Sequence, residues 1–298
     1  LARILLAKHT KYGYARRHLP YLVRKEDDNP TRAWEGRDMT STRQEPTSHA
    51  RQTTGDLRGA TGRGRVGQPS PRQAARLAGI GYVILFVAAL FANFFVVEGL
   101  IEPGDAAATA ANIRESEGLF RLSLVSFMVV FIVDVVVAWA LYIFFRNVSR
   151  DVSLLAAWFR LVYTVFLGVA LIFFFQALQL LSGADYLTAF DTGQVNAQAL
   201  GALDAFNYTW MIGLAVFGIH LMLLGYLILK SGYTSRALAY VLMVAGAAYM
   251  VDTVAYALLA NYVDYENGFL VMVAVPSVIG ELWLGLWLLL RAGKSQTA

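Results

Sequence analysis

Five ionisable side chains lie inside strongly apolar segments of the sequence: Asp134, Arg160, His220, Asp252 and Glu281. An Asp or Arg at the centre of a membrane helix costs about 2.5–3.5 kcal/mol to insert, so such a group faces other helices or water rather than lipid. We predict that the five residues form one central polar cluster. A carboxyl that gains and loses a proton at mid-membrane suits a proton-coupled transporter, but the same cluster could simply hold helices together.

The spacing around Glu281 indicates a helix face that packs closely against its neighbours. Ser277, Glu281 and Gly285 recur every four residues and therefore share one stripe of a helix. Small residues on either side of a charge let helix backbones approach each other. Pro276 directly precedes this stripe and is predicted to kink the helix.

No known catalytic or metal-binding pattern accompanies these residues. Cysteine is absent, and the other three histidines, His9, His18 and His49, lie in the polar N-terminal part of the chain. The sequence motifs of intramembrane serine, aspartyl and zinc proteases are missing, as is a phosphate-binding loop. We therefore predict no catalytic residue, no metal site and no cofactor. Metal binding by carboxylates alone stays open as a weaker alternative.

Composition indicates a membrane protein. Of the 298 residues, 57% are hydrophobic and 15% are charged, and the mean hydropathy is +0.50. Six runs are long enough to cross about 30 Å of hydrocarbon as helices, and none shows the period-two alternation of barrel strands. The predicted fold is an all-α bundle of six transmembrane helices: Leu77–Ile101, Leu119–Phe145, Leu154–Leu181, Ala205–Leu229, Ala237–Leu259 and Gly268–Leu290.

Lys and Arg near the ends of these runs predict the orientation of the bundle. One set of connections carries the basic pairs Arg72/Arg76, Arg146/Arg150, Lys230/Arg236 and Arg291/Lys294. The opposite set, residues 102–118, 182–204 and 260–267, contains one basic residue against nine acidic ones. By the positive-inside rule, both termini are predicted to be cytoplasmic.

The predicted domains divide the chain at residue 72. Residues 1–72 hold 15 Lys and Arg against 7 Asp and Glu, lack apolar periodicity, and are predicted to form a disordered basic tail. Met39 is followed by an ordinary start sequence, so we interpret residues 1–38 as upstream sequence or a fragment. We assign the tail no function, and expect no nucleic-acid partner. Residues 73–298 are predicted to form the transmembrane domain.

Local signals predict several further details. Ser153 and Ser235 occupy the expected N-caps of the third and fifth spans. Gly118 is expected to separate the second span from an outer helix, Asp105–Glu117. Aromatic residues that could form an interfacial belt gather near the predicted span ends: Tyr82, Trp158, Tyr186, Tyr208, Trp210, Tyr262, Tyr265 and Trp287.

Several strings spread across the predicted spans are characteristic, among them LLAAWFRLVY (154–163), FGIHLMLLGYLILKSGY (217–233), YMVDTVAYALL (249–259) and VPSVIGELWLGLWLL (275–289). Through these strings, the region from about Arg76 to Gly293 resembles a bacterial polytopic membrane family, domain of unknown function 4386. The resemblance implies an integral membrane protein and supplies no activity.

Three functions stay open at this point. The first is a non-catalytic or ligand-binding protein of the bacterial cytoplasmic membrane, with membrane lipid as its partner and a structural or binding role for the cluster. The second is a secondary carrier that couples a small molecule to a proton or another cation. The third is an enzyme acting on a lipid. The oligomeric state is not indicated by the sequence.

Overall fold

The computed structural model describes residues 69–93, 98–290 and 292. Within them all regular structure is helical, with eight α-helices and two short 3₁₀ segments, Asp185–Ala189 and Tyr262–Tyr265. The α-helices are α1 Pro71–Phe91, α2 Glu98–Leu100, α3 Ala106–Glu115, α4 Glu117–Phe145, α5 Arg150–Leu180, α6 Thr192–Ser231, α7 Arg236–Leu258 and α8 Glu266–Leu290. The predicted tail, residues 1–72, lies almost entirely outside the described residues.

Six of the described helices (α1, α4, α5, α6, α7 and α8) are long and apolar enough to cross a membrane, which confirms the predicted number. Each packs against the next along the chain, and α8 packs back against α1, so the six form a closed ring. Large apolar residues on the outward faces of these helices are exposed at the surface; Val165, for example, is 61% exposed. A contiguous apolar surface of this kind suits contact with lipid and is foreign to a soluble monomer.

Glycines set the spacing where helices cross most closely. A Cβ on Gly218 of α6 would lie 2.5 Å from the carbonyl oxygen of Gly246 on α7. A Cβ on Gly79 of α1 would lie 2.6 Å from the backbone nitrogen of Leu289 on α8. Only a residue without a side chain fits at either crossing, as is common where membrane helices pack backbone to backbone.

Helix α6 is much longer than the predicted fourth span. Its 40 residues would extend about 60 Å, twice the hydrocarbon thickness. It begins at Thr192 with a capping box formed by Asp191 and Gln194. The segment before residue 205 packs against α3, and Arg114 donates a hydrogen bond to Asn196 across this contact at 3.0 Å. Helix α3, which corresponds to the predicted outer helix, is therefore held against α6.

Two local predictions were wrong. The break between the outer helix and α4 falls at Ser116, while Gly118 lies inside α4. Helix α5 begins at Arg150 after Ser149, so Ser153 is not its N-cap; the Ser153 hydroxyl instead donates to the Tyr142 carbonyl of α4 at 3.1 Å. Ser235 does cap α7, as predicted, by accepting a hydrogen bond from the Ala237 amide.

Candidate functional site

Asp134 and Arg160 form an ion pair between α4 and α5. The Arg160 Nε donates to Asp134 Oδ1 at 2.9 Å, and the Nη2 nitrogen contacts the same oxygen. Both side chains are 2% exposed. Thr164, one turn along α5, places its hydroxyl 3.4 Å from the other carboxylate oxygen, Oδ2. Charge-assisted bonds of this kind are the strongest available to satisfy a buried carboxylate.

The same guanidinium joins two further helices. Its Nη1 donates to the Tyr82 hydroxyl of α1 at 3.0 Å and lies 3.3 Å from Nε2 of His220 on α6. The other ring nitrogen, Nδ1, lies 2.8 Å from the Ala156 carbonyl oxygen. A carbonyl can only accept, so Nδ1 carries the hydrogen and Nε2 accepts from Arg160. His220 is therefore the neutral Nδ1–H tautomer, and Arg160 connects α1, α4, α5 and α6.

A cavity of about 50 Å³ lies beside this network at the centre of the ring. That volume accommodates a few water molecules. All six long helices contribute to its wall, which places Glu281 in the same chamber as the ion pair. The lining residues are Leu85, Ala89, Phe127, Val130, Asp134, Arg160, Tyr163, Trp210, Phe217, Tyr249 and Glu281.

Aromatic side chains make up most of the remaining wall. Trp210 donates from its indole nitrogen to the Tyr163 hydroxyl at 3.3 Å, and Phe127 packs edge-on against Trp210 with ring centroids 5.4 Å apart. The Phe217 ring lies 5.4 Å from the Arg160 guanidinium carbon. The polar centre is thus enclosed by rings that restrict water and favour cations at their faces.

Asp252 belongs to a different polar group. Its carboxylate accepts a hydrogen bond from the Tyr262 hydroxyl at 2.9 Å, in the connection between α7 and α8. Asp252 is buried, yet it is not among the described residues that line the central cavity. Four of the five predicted cluster residues therefore share the centre of the ring, while Asp252 lies apart from them.

Sequence reasoning placed four aromatic residues wrongly. Tyr82, Trp210, Tyr262 and Trp287 were expected in an interfacial belt, but all four are buried, and the first three are hydrogen-bonded to other helices or to buried side chains. The signal for Tyr82 was its place in the middle of an apolar run beside two glycines, Gly79 and Gly81. A hydroxyl in such a position needs a partner inside the bundle.

The sequence predicts a kink at Pro276 in the last span. Helix α8 continues through Pro276, and the Ser277 hydroxyl donates to the Val273 carbonyl at 2.6 Å. The kink itself stays a prediction.

Within the described part of the chain, no three His, Asp or Glu side chains are grouped so that they could hold a metal ion.

A ring of six long apolar helices closed around a polar centre defines a multi-pass membrane protein. The family model for the domain of unknown function DUF4386 matches residues 77–292, and the chain belongs to this family. An uncharacterised protein from Archaeoglobus fulgidus is 30% identical over 172 residues, which span 58% of this chain and 85% of the relative. No solved structure matches significantly.

Proposed function

We propose that the protein is a cation-binding carrier of the bacterial cytoplasmic membrane. Glu281 binds a proton and a small monovalent cation in turn, so that one is exchanged for the other. The observation that carries the proposal is the shared wall of the central cavity, which brings Asp134, Arg160 and Glu281 to the middle of a lipid-facing ring. Intramembrane carboxyl groups in such positions commonly mark ion or proton pathways.

The balance of charge in the cavity favours a cationic occupant. Asp134 and Arg160 cancel each other, and His220 is neutral in its hydrogen-bonding arrangement. Glu281 places a second carboxyl group on the same cavity wall as Asp134. Negative charge is costly in a low-dielectric environment, and binding of a proton or a cation lowers that cost.

The two parts of the centre are assigned different tasks. Arg160 has contacts to Asp134, Tyr82 and His220, so we assign that network the structural role of holding four helices in register. Glu281 comes from α8, outside the four helices that Arg160 joins. Glu281 can therefore bind and release a proton or a cation while the Asp134–Arg160 ion pair stays intact.

Two buried amides support a water route between the cavity and one end of the bundle. Asn93 follows cavity-lining Ala89 by four residues, just after the end of α1, and Asn207 precedes cavity-lining Trp210 by three on α6. Both are buried, and the Oδ1 atom of each has no hydrogen-bond partner among the described residues. Buried polar oxygens of this kind are commonly satisfied by water. Both positions lie toward the acidic end of the bundle, the end that bears connections 102–118, 182–204 and 260–267.

The same end is proposed to face away from the cytoplasm. Arg72, Arg76, Arg146, Arg150, Lys230 and Arg236 flank the opposite ends of the spans, which we call the basic end. The positive-inside rule supports a cytoplasmic position for it.

Proteoliposomes loaded with a trapped pH-sensitive dye test the proposal. Inward gradients of Na⁺ or K⁺ are expected to change the lumenal pH with wild-type protein and not with Glu281→Gln. Glu117→Gln, which alters an exposed carboxylate paired with Arg121, is the matched control and should behave as wild type. The proposal is overturned if wild type cannot be distinguished from protein-free vesicles, or if Glu281→Gln retains the full response.

A further inference from the structure

The ring closes where α1 meets α8, and the two helices touch tightly over only part of their length. Near the basic end, Gly79 packs against the backbone of Leu289. One turn further along, a Cβ on Gly285 would lie 2.8 Å from the Cβ of Tyr82. These two close contacts fix the seam at one end.

Beyond those contacts, a second cavity of about 50 Å³ lies in the seam, toward the acidic end. Its wall includes Val83 and Leu286, whose side chains are 43% and 50% exposed on the lipid-facing surface. It also includes Leu85 and Glu281, and these two residues line the central cavity as well. One layer of side chains therefore separates the bilayer from the polar centre.

We infer that this seam is a lateral entrance, through which the head group of an amphiphilic amine reaches Glu281 from the bilayer. The inference rests on the proposed role of Glu281 as the cation-binding group. It adds a chemical class of ligand and a route that leads through lipid rather than through water.

The chemistry of the seam selects that class. Among the described residues that line the seam, Glu281 is the one with an acidic or basic side chain, apart from the phenol of Tyr82. The Tyr82 hydroxyl already accepts a hydrogen bond from Arg160. A carboxylate bordered by apolar side chains pairs well with a protonated amine and repels anionic head groups.

The volume of the seam determines which part of the ligand enters. Sites that enclose a drug-sized molecule have volumes of about 300–1,000 Å³. A cavity of about 50 Å³ takes an ammonium group and no more, so the alkyl chain stays among the lipids beside Val83 and Leu286. Recognition is then shared between the carboxylate and the bilayer itself.

Carbodiimide labelling of the full chain in liposomes tests the route without a known substrate. Dicyclohexylcarbodiimide partitions into lipid, and a protonated carboxyl adds across one of its C=N bonds to give an acylisourea, which rearranges to a stable acylurea. We expect peptide mass spectrometry to find this adduct on Glu281, across a series of buffer pH values. A water-soluble carbodiimide should label Glu281 far more slowly.

Bulky side chains at the seam provide the positional control. Leu286→Trp and, on the facing helix, Val83→Trp should each slow labelling of Glu281 severalfold. Val165→Trp changes a comparably lipid-exposed position on α5, outside the seam lining, and should leave the labelling rate unchanged. Gel filtration of each variant identifies any that fail to fold. Equal labelling of all three folded variants, or no labelling of wild type at any pH, overturns the lateral route.

Competition identifies the ligand class. N,N-dimethyldodecylamine, a tertiary amine that cannot form an amide with the acylisourea, should protect Glu281 from the lipophilic reagent, whereas dodecanol, with the same chain and no charge, should not. Equal protection by both, or by neither, contradicts recognition of an amine. These outcomes can be told apart from a failure of the proposed function. If the seam variants leave labelling unchanged while ion-driven pH changes persist, only the lateral route fails. If labelling depends on the seam but no ion-driven pH change occurs, only the proposed ion exchange fails.

Discussion

The carboxylate of Asp134 and the guanidinium of Arg160 form a buried ion pair, although the residues are 26 positions apart on different helices. The pair is the hub of the polar network, because Tyr82 and His220 reach the same guanidinium from α1 and α6. Its geometry explains how four membrane helices can each carry a polar group without exposing it to lipid.

Asp134→Asn should destabilise the protein strongly, because it removes the carboxylate that is hydrogen-bonded to the buried Arg160 guanidinium. Breaking one side of a buried pair costs about 3–5 kcal/mol in soluble proteins. Thermal unfolding in detergent is the measurement. The double variant Asp134→Leu/Arg160→Met, which removes both charges, should unfold at a higher temperature than Asp134→Asn; a lower temperature would contradict the pairing.

Tyr82→Phe should remove one hydrogen bond to Arg160 and keep the shape of the side chain. Hydrogen bonds to charged groups contribute about 1.5–3 kcal/mol, so a fall of that order in the free energy of unfolding is expected. Tyr226→Phe, at a tyrosine that is exposed on the surface of α6, is the control and should have little effect. Equal stability of Tyr82→Phe and wild type would contradict a stabilising hydrogen bond between Tyr82 and Arg160.

Two glycines of α6 should respond in opposite directions to alanine. Gly218→Ala drives a Cβ into the Gly246 carbonyl and should cost about 1–3 kcal/mol through overpacking. Gly201 has open space around its Cα, so Gly201→Ala should gain up to about 1 kcal/mol of helix propensity. Denaturation of both variants under identical conditions gives the comparison. A shift in the same direction for both would contradict the close crossing of α6 and α7.

The orientation of the bundle can be read with single cysteines, because the chain has none of its own. Asn261→Cys, at the acidic end, should react with a membrane-impermeant maleimide on intact bacterial cells. Asn147→Cys, at the basic end, should react only after the cells are broken. Reaction of both residues in intact cells, or the reverse pattern, would contradict the predicted topology.

The number of spans followed from the sequence because hydrophobicity over about twenty residues is a strong and local signal. Helix ends were harder. The start of α6 at Thr192 depends on a capping box and on packing against α3, which the apolar run alone does not report. The position of Ser153 inside α5, bonded to Tyr142, likewise depends on the partner helix.

The composition of the centre could be predicted only in part, because four-residue spacing shows that residues share a helix face but not where that face points. Arg160 and Asp134 were expected to meet, and they do. Asp252 was assigned to the same cluster on equal grounds, but the rotation of α7 and the following turn bring it to Tyr262 instead. The same limit hid Tyr82, whose role depends on α1 packing beside α4 and α8.

The central claim is that Glu281 takes up and releases a proton inside the ring, and infrared difference spectroscopy on reconstituted protein tests it most directly. Exchange between acidic, sodium-free buffer and alkaline, sodium-containing buffer should produce a carboxyl C=O band that is lost in Glu281→Gln and kept in Glu117→Gln. Superimposable difference spectra of wild type and Glu281→Gln would contradict the account.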